Sequence, residues 1–257
     1  MEAHPQLLGI LESFSPISLG EMSAIRLMNR TDTKFLTTVR VLAELLQQVH
    51  GSYHIQEIQG RRISCYATTY WDDPDTHEMY RMHHCGHRPR TKVRVRSYVD
   101  SDQNFLEIKK KDNHGKTSKQ RIVVPSLEAV VCNHWGEEFL NENSGYSFEK
   151  IVPTLSNRFH RITLVNKRKT ERLTIDFDLE FRNLENQVER DMGSLVIIEL
   201  KRDGLYPSPI LPILRTMHIK PAGFSKYCIG SAVTNSALRQ NLFKERLVYI
   251  RKLVEQG

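Results

Sequence analysis

Basic residues recur at every second position in one part of this 257-residue chain. Lys92, Arg94 and Arg96 alternate with Val93 and Val95. Glu107, Lys109 and Lys111 fall on the face opposite Leu106 and Ile108, and Lys119 and Arg121 stand two apart. Side chains of a strand point alternately to its two faces, so each set projects one way. A guanidinium fork matches the oxygens of a phosphate group, and an ammonium acts on them as a point charge. The chemistry open to such a row is the holding of a polyanion.

The charge is concentrated here. Between Arg88 and Arg121 there are 11 Lys and Arg against 4 Asp and Glu, which leaves 26 of each sign elsewhere, so this segment holds the whole excess of +7. Related patterns follow. Arg172, Thr174, Asp176 and Asp178 oppose Leu173, Ile175, Phe177 and Leu179; Glu199 and Lys201 oppose Val196, Ile198 and Leu200; Arg30, Asp32 and Lys34 are again two apart. An ordinary half-buried sheet with a wet charged face explains any one of these strands. It does not explain six, because like charges side by side cost energy unless an anion neutralises them. Turned inward around a closed barrel, the same residues would form a cage for a polyanion, with interior carboxylates free to hold a divalent metal.

The elements that must carry these residues are legible in outline. Residues 1–25 read as a short helical or irregular lead-in, and 39–50 as a helix. The period-two pattern runs from Ile63 to Lys111, and Lys116–Val124 reads as a further strand. Residues 126–142 read as one helix, 158–182 as two strands around a polar turn, and 194–201 as a strand. Ser208 and Pro209 suit an N-cap and first-turn proline for a helix reaching about Met217, and an amphipathic helix closes the chain at 237–255. Strands do not alternate regularly with helices, which argues against a parallel doubly wound sheet. The expectation is an α+β domain spanning 1–257, with a closed antiparallel barrel at about 26–230 and helices packed outside and at the C-terminus.

Other chemistries find little support. There is no P-loop sequence, no GxGxxG and no nucleophile elbow. His77, His83, His84, Cys85 and His87 cluster in sequence, but their spacing fits no zinc module, and the segment reads as a polar turn. Cys65, Cys85, Cys132 and Cys228 form no CxxC pair and are expected to be reduced thiols. No basic leader with a long apolar run opens the chain, and no stretch of about 18 apolar residues exists, so neither a signal peptide nor a transmembrane helix is expected. Nucleic acid is not the expected partner, because aromatic residues are not interleaved with the basic ones: Tyr98 is the only one close by in the strand that carries Arg94 and Arg96.

The segments MNRTDTKF (28–35), GHRPRTKVRVR (86–96), FLEIKKK (105–111), GKTSKQR (115–121), RLTIDFD (172–178), IIELK (197–201) and FSKY (224–227) together resemble the VTC domain. This is the catalytic domain of vacuolar transporter chaperone polyphosphate polymerases, within the triphosphate tunnel superfamily, and the resemblance is to its stand-alone bacterial form. The resemblance implies an eight-stranded antiparallel tunnel that transfers the γ-phosphate of ATP to a growing polyphosphate chain with Mn²⁺ or Mg²⁺. It implies catalytic roles for Arg94, Arg96, Lys109 and Glu199, with Glu199 as metal ligand. Phosphate binding would fall to Arg30, Lys34, Lys92, Lys119, Arg121, Arg161, Arg172, Lys201, Ser225 and Lys226. The opening strand reads Arg-Thr-Asp-Thr-Lys where tunnel triphosphatases have ExExK, which matches the polymerase branch. Phe159 stands where the family places a tyrosine. A tunnel triphosphatase, and a non-catalytic module for polyphosphate or another polyanion, are the alternatives. The chain carries no SPX domain or membrane helix, so the resemblance implies a cytoplasmic protein. Export of its product would need a membrane-protein partner at the inner face of the membrane.

Overall fold

The computed structural model describes residues 4–23, 25, 30–204 and 206–256. The lead-in forms α1 (Pro5–Glu12), β1 (Ser15–Ser18) and α2 (Leu19–Ser23). Then come β2 (Arg30–Thr38), α3 (Val39–Val49), β3 (Tyr53–Glu57), β4 (Ser64–Asp72), α4 (Glu78–His84), β5 (Arg90–Tyr98), β6 (Gln103–Lys111) and β7 (Thr117–Val124). Helices α5 (Leu127–Asn133) and α6 (Glu137–Ser144) lead to β8 (Val152–Asn166), β9 (Glu171–Asn183), β10 (Glu189–Asp191) and β11 (Leu195–Asp203). The chain ends in α7 (Ile210–Thr216), α8 (Lys226–Thr234) and α9 (Lys244–Glu255).

Eight strands pair in the order β2-β11-β9-β8-β4-β5-β6-β7, every ladder antiparallel. β3 adds to β8 and pairs in parallel with β1, and β10 extends β9. The expected barrel is not closed by hydrogen bonds: among the described residues no ladder joins β2 to β7. The free edge of β2 is met instead by the C-terminal segment, where Ala222 N–H donates to the Lys34 carbonyl at 2.8 Å and Pro221 bridges Phe35. Proline has no N–H to donate, so that contact cannot grow into a ladder.

The sheet is nevertheless strongly curled. Lys34 on β2 donates to the Phe224 carbonyl at 2.6 Å, and Lys92 on β5 donates to the next residue, Ser225 Oγ, at 3.0 Å. β2 and β5 are five places apart in the sheet, about 24 Å if it were flat. Only a concave sheet lets adjacent residues reach both.

The apolar faces turn outward under helices. Helix α3 buries Leu42, Leu45, Leu46 and Val49, an i, i+3, i+4, i+7 stripe, against Phe35, Ile175, Val196 and Ile198. On the other flank Val93, Val95, Leu106 and Ile108 pack into a second cluster with residues of α4, α5, α6 and α9. The helix expected at 126–142 is two helices, because His134 and Gly136 both take left-handed backbone angles between them. Pro209, not Ser208, occupies the N-cap of α7. The polar turn expected around His83 contains α4 instead, whose backbone N–H groups at Met79 and Tyr80 donate to the buried Asp72 carboxylate. All four cysteines are free. No helix among the described residues is long and apolar enough to cross a membrane.

Helix α8 lies across one end of the concave face, capped by Ser225 Oγ, which accepts from Cys228 N–H at 3.2 Å. Tyr227, Cys228, Ile229 and Ala232 share a cluster with Leu36, Leu155, Leu179, Phe181, Leu195 and Ile197. Gly230 permits this approach. A Cβ there would stand 2.8 Å from Leu155 Cδ2 and closer still to the Phe181 ring. Gly230→Ala is therefore expected to destabilise the fold by about 1–3 kcal/mol through overpacking. The midpoint of urea denaturation reads this directly, and an unchanged midpoint would refute the close approach.

A candidate polyanion site on the concave face

Strand register assembles the site. Arg94 pairs with Glu107, Lys92 with Lys109 and Arg96 with Phe105 across β5–β6, while Glu107 faces Arg121 and Lys109 faces Lys119 across β6–β7. On the other side Lys34 pairs with Glu199, Asp32 with Lys201, Lys201 with Arg172, and Arg161 with Asp176. The curl brings the two halves together: Lys109 on β6 lies within electrostatic reach of Glu199, Lys34 and Asp32. Arg161 stands within reach of Glu199 on one side and Arg96 on the other.

Three carboxylates organise the cations. Glu107 is 1% exposed and accepts from Arg94 Nε at 2.8 Å and from Lys119. Burial pushes its pKa up, but Arg94, Arg96 and Lys119 outweigh this and hold it at about 2. Asp176 takes a two-pronged contact from Arg161, Nε to Oδ1 at 2.5 Å and Nη2 to Oδ2 at 2.8 Å, and a further bond from Lys226. Those cations overcome its burial and keep it well below the usual carboxylate range. Glu199 is bonded by Lys201, with Thr174 Oγ1 at 3.5 Å. Burial opposes its charge, yet Lys201, Lys34 and Arg161 hold its pKa at about 2.

The cations are in excess, and their own ionisation shows the strain. Burial, with repulsion from Lys34, Lys109 and Arg94, pushes Lys92 down to about 8. Burial and then Arg161 push Lys226 down to about 7 despite its bond to Asp176. Arg96 is lowered to about 10 by burial and by Arg94 and Arg161; its Nε reaches only Thr68 Oγ1, at 3.4 Å. An anion on this face would relieve all three at once.

Of the residues named from sequence, Lys34, Lys92, Arg94, Arg96, Lys109, Lys119, Arg161, Arg172, Glu199, Lys201, Ser225 and Lys226 come together on this face or on the segment that crosses it. Arg121 sits at its exposed rim, 4.5 Å from the centroid of the Phe105 ring. The Arg30 side chain lies outside the described residues. Phe159 is buried, stacked on Tyr66, with the Lys226 ammonium 4.1 Å above its ring. Asp178 departs from its expected face. It takes a left-handed angle (φ 51°) at a bulge and accepts from His4 and His160, both at 2.9 Å. The bulge reverses the alternation, so Phe177 packs under the outer helices while Leu179 joins the inner cluster beneath α8. Sequence reasoning placed Glu107 and Asp176 on the right faces without seeing that each clamps two cations. It read His83 as part of a polar turn and gave neither His83 nor Arg90 a place in the site.

Two cavities adjoin the site. One of about 380 Å³ is lined by Asp32, Thr33, Lys34, Glu199 and Pro221–Phe224. The other, about 180 Å³, is lined by His83, Arg90, Lys92, Lys109, Lys111 and Thr117. A cavity of about 400 Å³ beside β10 shares none of these residues and mixes both signs of charge. Glu199 and Asp32 stand on neighbouring strands in the first cavity, but among the described residues no three His, Cys, Asp or Glu side chains converge as a metal cage. This donor set fits Mg²⁺ or Mn²⁺ bound through one or two carboxylates, with phosphate oxygens and water completing the shell.

A curled antiparallel sheet with helices outside is a fold seen in other solved proteins. The chain matches a candidate adenylyl cyclase from Hippeastrum, described as having a dominant triphosphatase activity, with 14% identity and a TM-score of 0.52 over 81% of this chain and 97% of that one. A candidate adenylate cyclase from Bacillus halodurans matches with 12% identity and a TM-score of 0.50, over 77% and 96% of the two chains. Residues 29–235 match the VTC domain, and the chain belongs to that family. The expected kinship with the triphosphate tunnel superfamily fits these neighbours. No curated protein has a sequence that matches this chain.

Proposed function

We propose that this protein is an ATP-dependent polyphosphate polymerase. The observation that carries the reading is the excess of close-set, mutually repelling cations, most of them half-buried, on one concave face beside an ionised Glu199. Phosphoryl transfer asks a protein mainly for alignment and charge neutralisation. Arg94, Arg96 and Lys109 would hold the triphosphate of ATP extended along β5 and β6. Lys34, Lys92 and Lys226 would hold the acceptor chain. A terminal polyphosphate oxygen attacks the γ-phosphorus, the bond to the β–γ bridging oxygen breaks, and ADP leaves. The acceptor is already ionised, so no general base is needed. Glu199, with Asp32 beside it, would hold Mn²⁺ or Mg²⁺, which when bound neutralises charge on the phosphate oxygens.

The test is incubation of the purified protein with ATP and Mn²⁺, following ADP release and polyphosphate on a gel. Polymer appearing with ADP is the expected result. ADP and free phosphate without polymer would make the protein a triphosphatase, and no turnover at all would end the enzymatic reading.

A further inference from the structure

His83 takes no part in the reaction described above, yet it lines the smaller cavity with four cations. Its Nδ1 lies 2.8 Å from the Met79 carbonyl. A carbonyl only accepts, so Nδ1 carries the hydrogen, and Nε2 keeps a lone pair when the ring is neutral. Around the cavity stand Arg90 and Lys92 from β5, Lys109 and Lys111 from β6, and Thr117 from β7. From α8 the Tyr227 ring meets the imidazole edge-on, with centroids 6.2 Å apart, and Cys228 lies within electrostatic reach of Lys92. Asp72, at the end of β4, is already engaged by the N–H groups of Met79 and Tyr80 and by the Tyr227 hydroxyl. Burial, and then Lys92, Arg90 and Lys109, keep the imidazole neutral, with its pKa down at about 3.

A neutral histidine in this place is mismatched to an anion. Phosphate oxygens only accept hydrogen bonds, and an unprotonated Nε2 offers them none. An anion that offsets the four cations removes their repulsion and sets negative charge beside the ring; burial still opposes the imidazolium, but the vacant nitrogen becomes the best place for a proton.

We propose that this mouth is a proton-linked subsite for the end of a phosphate chain, in which His83 takes a proton from solvent as the anion enters and donates it from Nε2 to a phosphate oxygen. The assignment rests on the phosphate-binding reading of the concave face. Its sign follows from linkage: the ring binds a proton more tightly in the complex than in the free protein, so affinity rises as pH falls through the pKa of the complex.

Tripolyphosphate is a suitable probe because its binding needs no turnover. Calorimetric titration would be run at about pH 6 and about pH 8, either side of the ordinary histidine range, in buffers of different ionisation heat. The wild type is expected to bind roughly tenfold more tightly at the lower pH than its His83→Gln variant does, with extra proton uptake approaching one. At the higher pH the two are expected to converge. The variant also reports the titration of the probe itself. ¹⁵N NMR of the wild-type imidazole adds a readout independent of any substitution: Nε2 is expected to pass from unprotonated to protonated on saturation. Equal pH dependence in the two proteins, or an unprotonated Nε2 in the complex, overturns the proposal and leaves the polymerase reading intact. Failure of the wild type to bind tripolyphosphate at either pH removes both.

Discussion

Glu199→Gln protein is expected to convert ATP to ADP and polyphosphate at no more than about a hundredth to a thousandth of the wild-type rate. The substitution keeps the shape of the side chain and removes only its charge. That charge is held ionised at the junction of β2 and β11, where Asp32 supplies the one neighbouring carboxylate among the residues lining the cavity. Affinity for tripolyphosphate is expected to stay within a few-fold of wild type, because the cations of β5, β6 and β7 are untouched. Initial rates over a Mn²⁺ series, with calorimetric binding alongside, separate the two effects. Undiminished turnover would withdraw the metal role of Glu199. Loss of binding in step with rate would show that the residue merely organises the lysines around it.

Asp176→Asn is expected to have the largest effect on stability, a loss of about 3–5 kcal/mol, because it leaves Arg161 and Lys226 buried together without their shared counter-charge. The wild-type protein carries the same dependence in its pH profile. Asp176 and Glu107 both have folded pKa values below those of the unfolded chain, Glu107 at about 2. Their contribution is complete above the unfolded carboxylate range, about pH 4, and is lost as pH falls toward about 2. Urea midpoints across that range should fall steeply for the wild type and less steeply for the Asp176→Asn variant. A midpoint at neutral pH equal to that of the wild type would mean that water, not Asp176, neutralises the pair.

The period-two rows were readable because they are local. Lys92-Arg94-Arg96 and Glu107-Lys109 needed only the strand repeat to reveal a shared face, and α3 needed only its stripe of leucines. What escaped depends on tertiary context. Helix α8 is buried nearly all round, from Tyr227 through Ala232, so it shows no polar face for a helical period to mark, and its Gly230 and β-branched residues argue locally against a helix. Helix α4 has seven residues and begins at a left-handed His77. Among the described residues no ladder joins β2 to β7, and the edge of β2 is met instead by a residue nearly two hundred positions away, Ala222, whose N–H donates to the Lys34 carbonyl. No local pattern contains it. The clamps at Glu107 and Asp176 are likewise products of register: sequence supplies the charges, and only pairing says which cations each carboxylate must share.

The bulge at Asp178 acts as a ruler. Inward positions of β9 are polar at 172, 174 and 176; after the slip they are apolar, and α8 closes over them. The polar stretch of this strand is therefore about 14 Å long at the usual rise per residue. On the polyphosphate reading, the length of phosphate chain held along β9 would be set by one irregular backbone position, not by the strength of any cation. Moving the slip by two residues would lengthen or shorten that polar stretch by about 7 Å, and would bring Asp178 inward or turn Asp176 away, so reach and charge would change together.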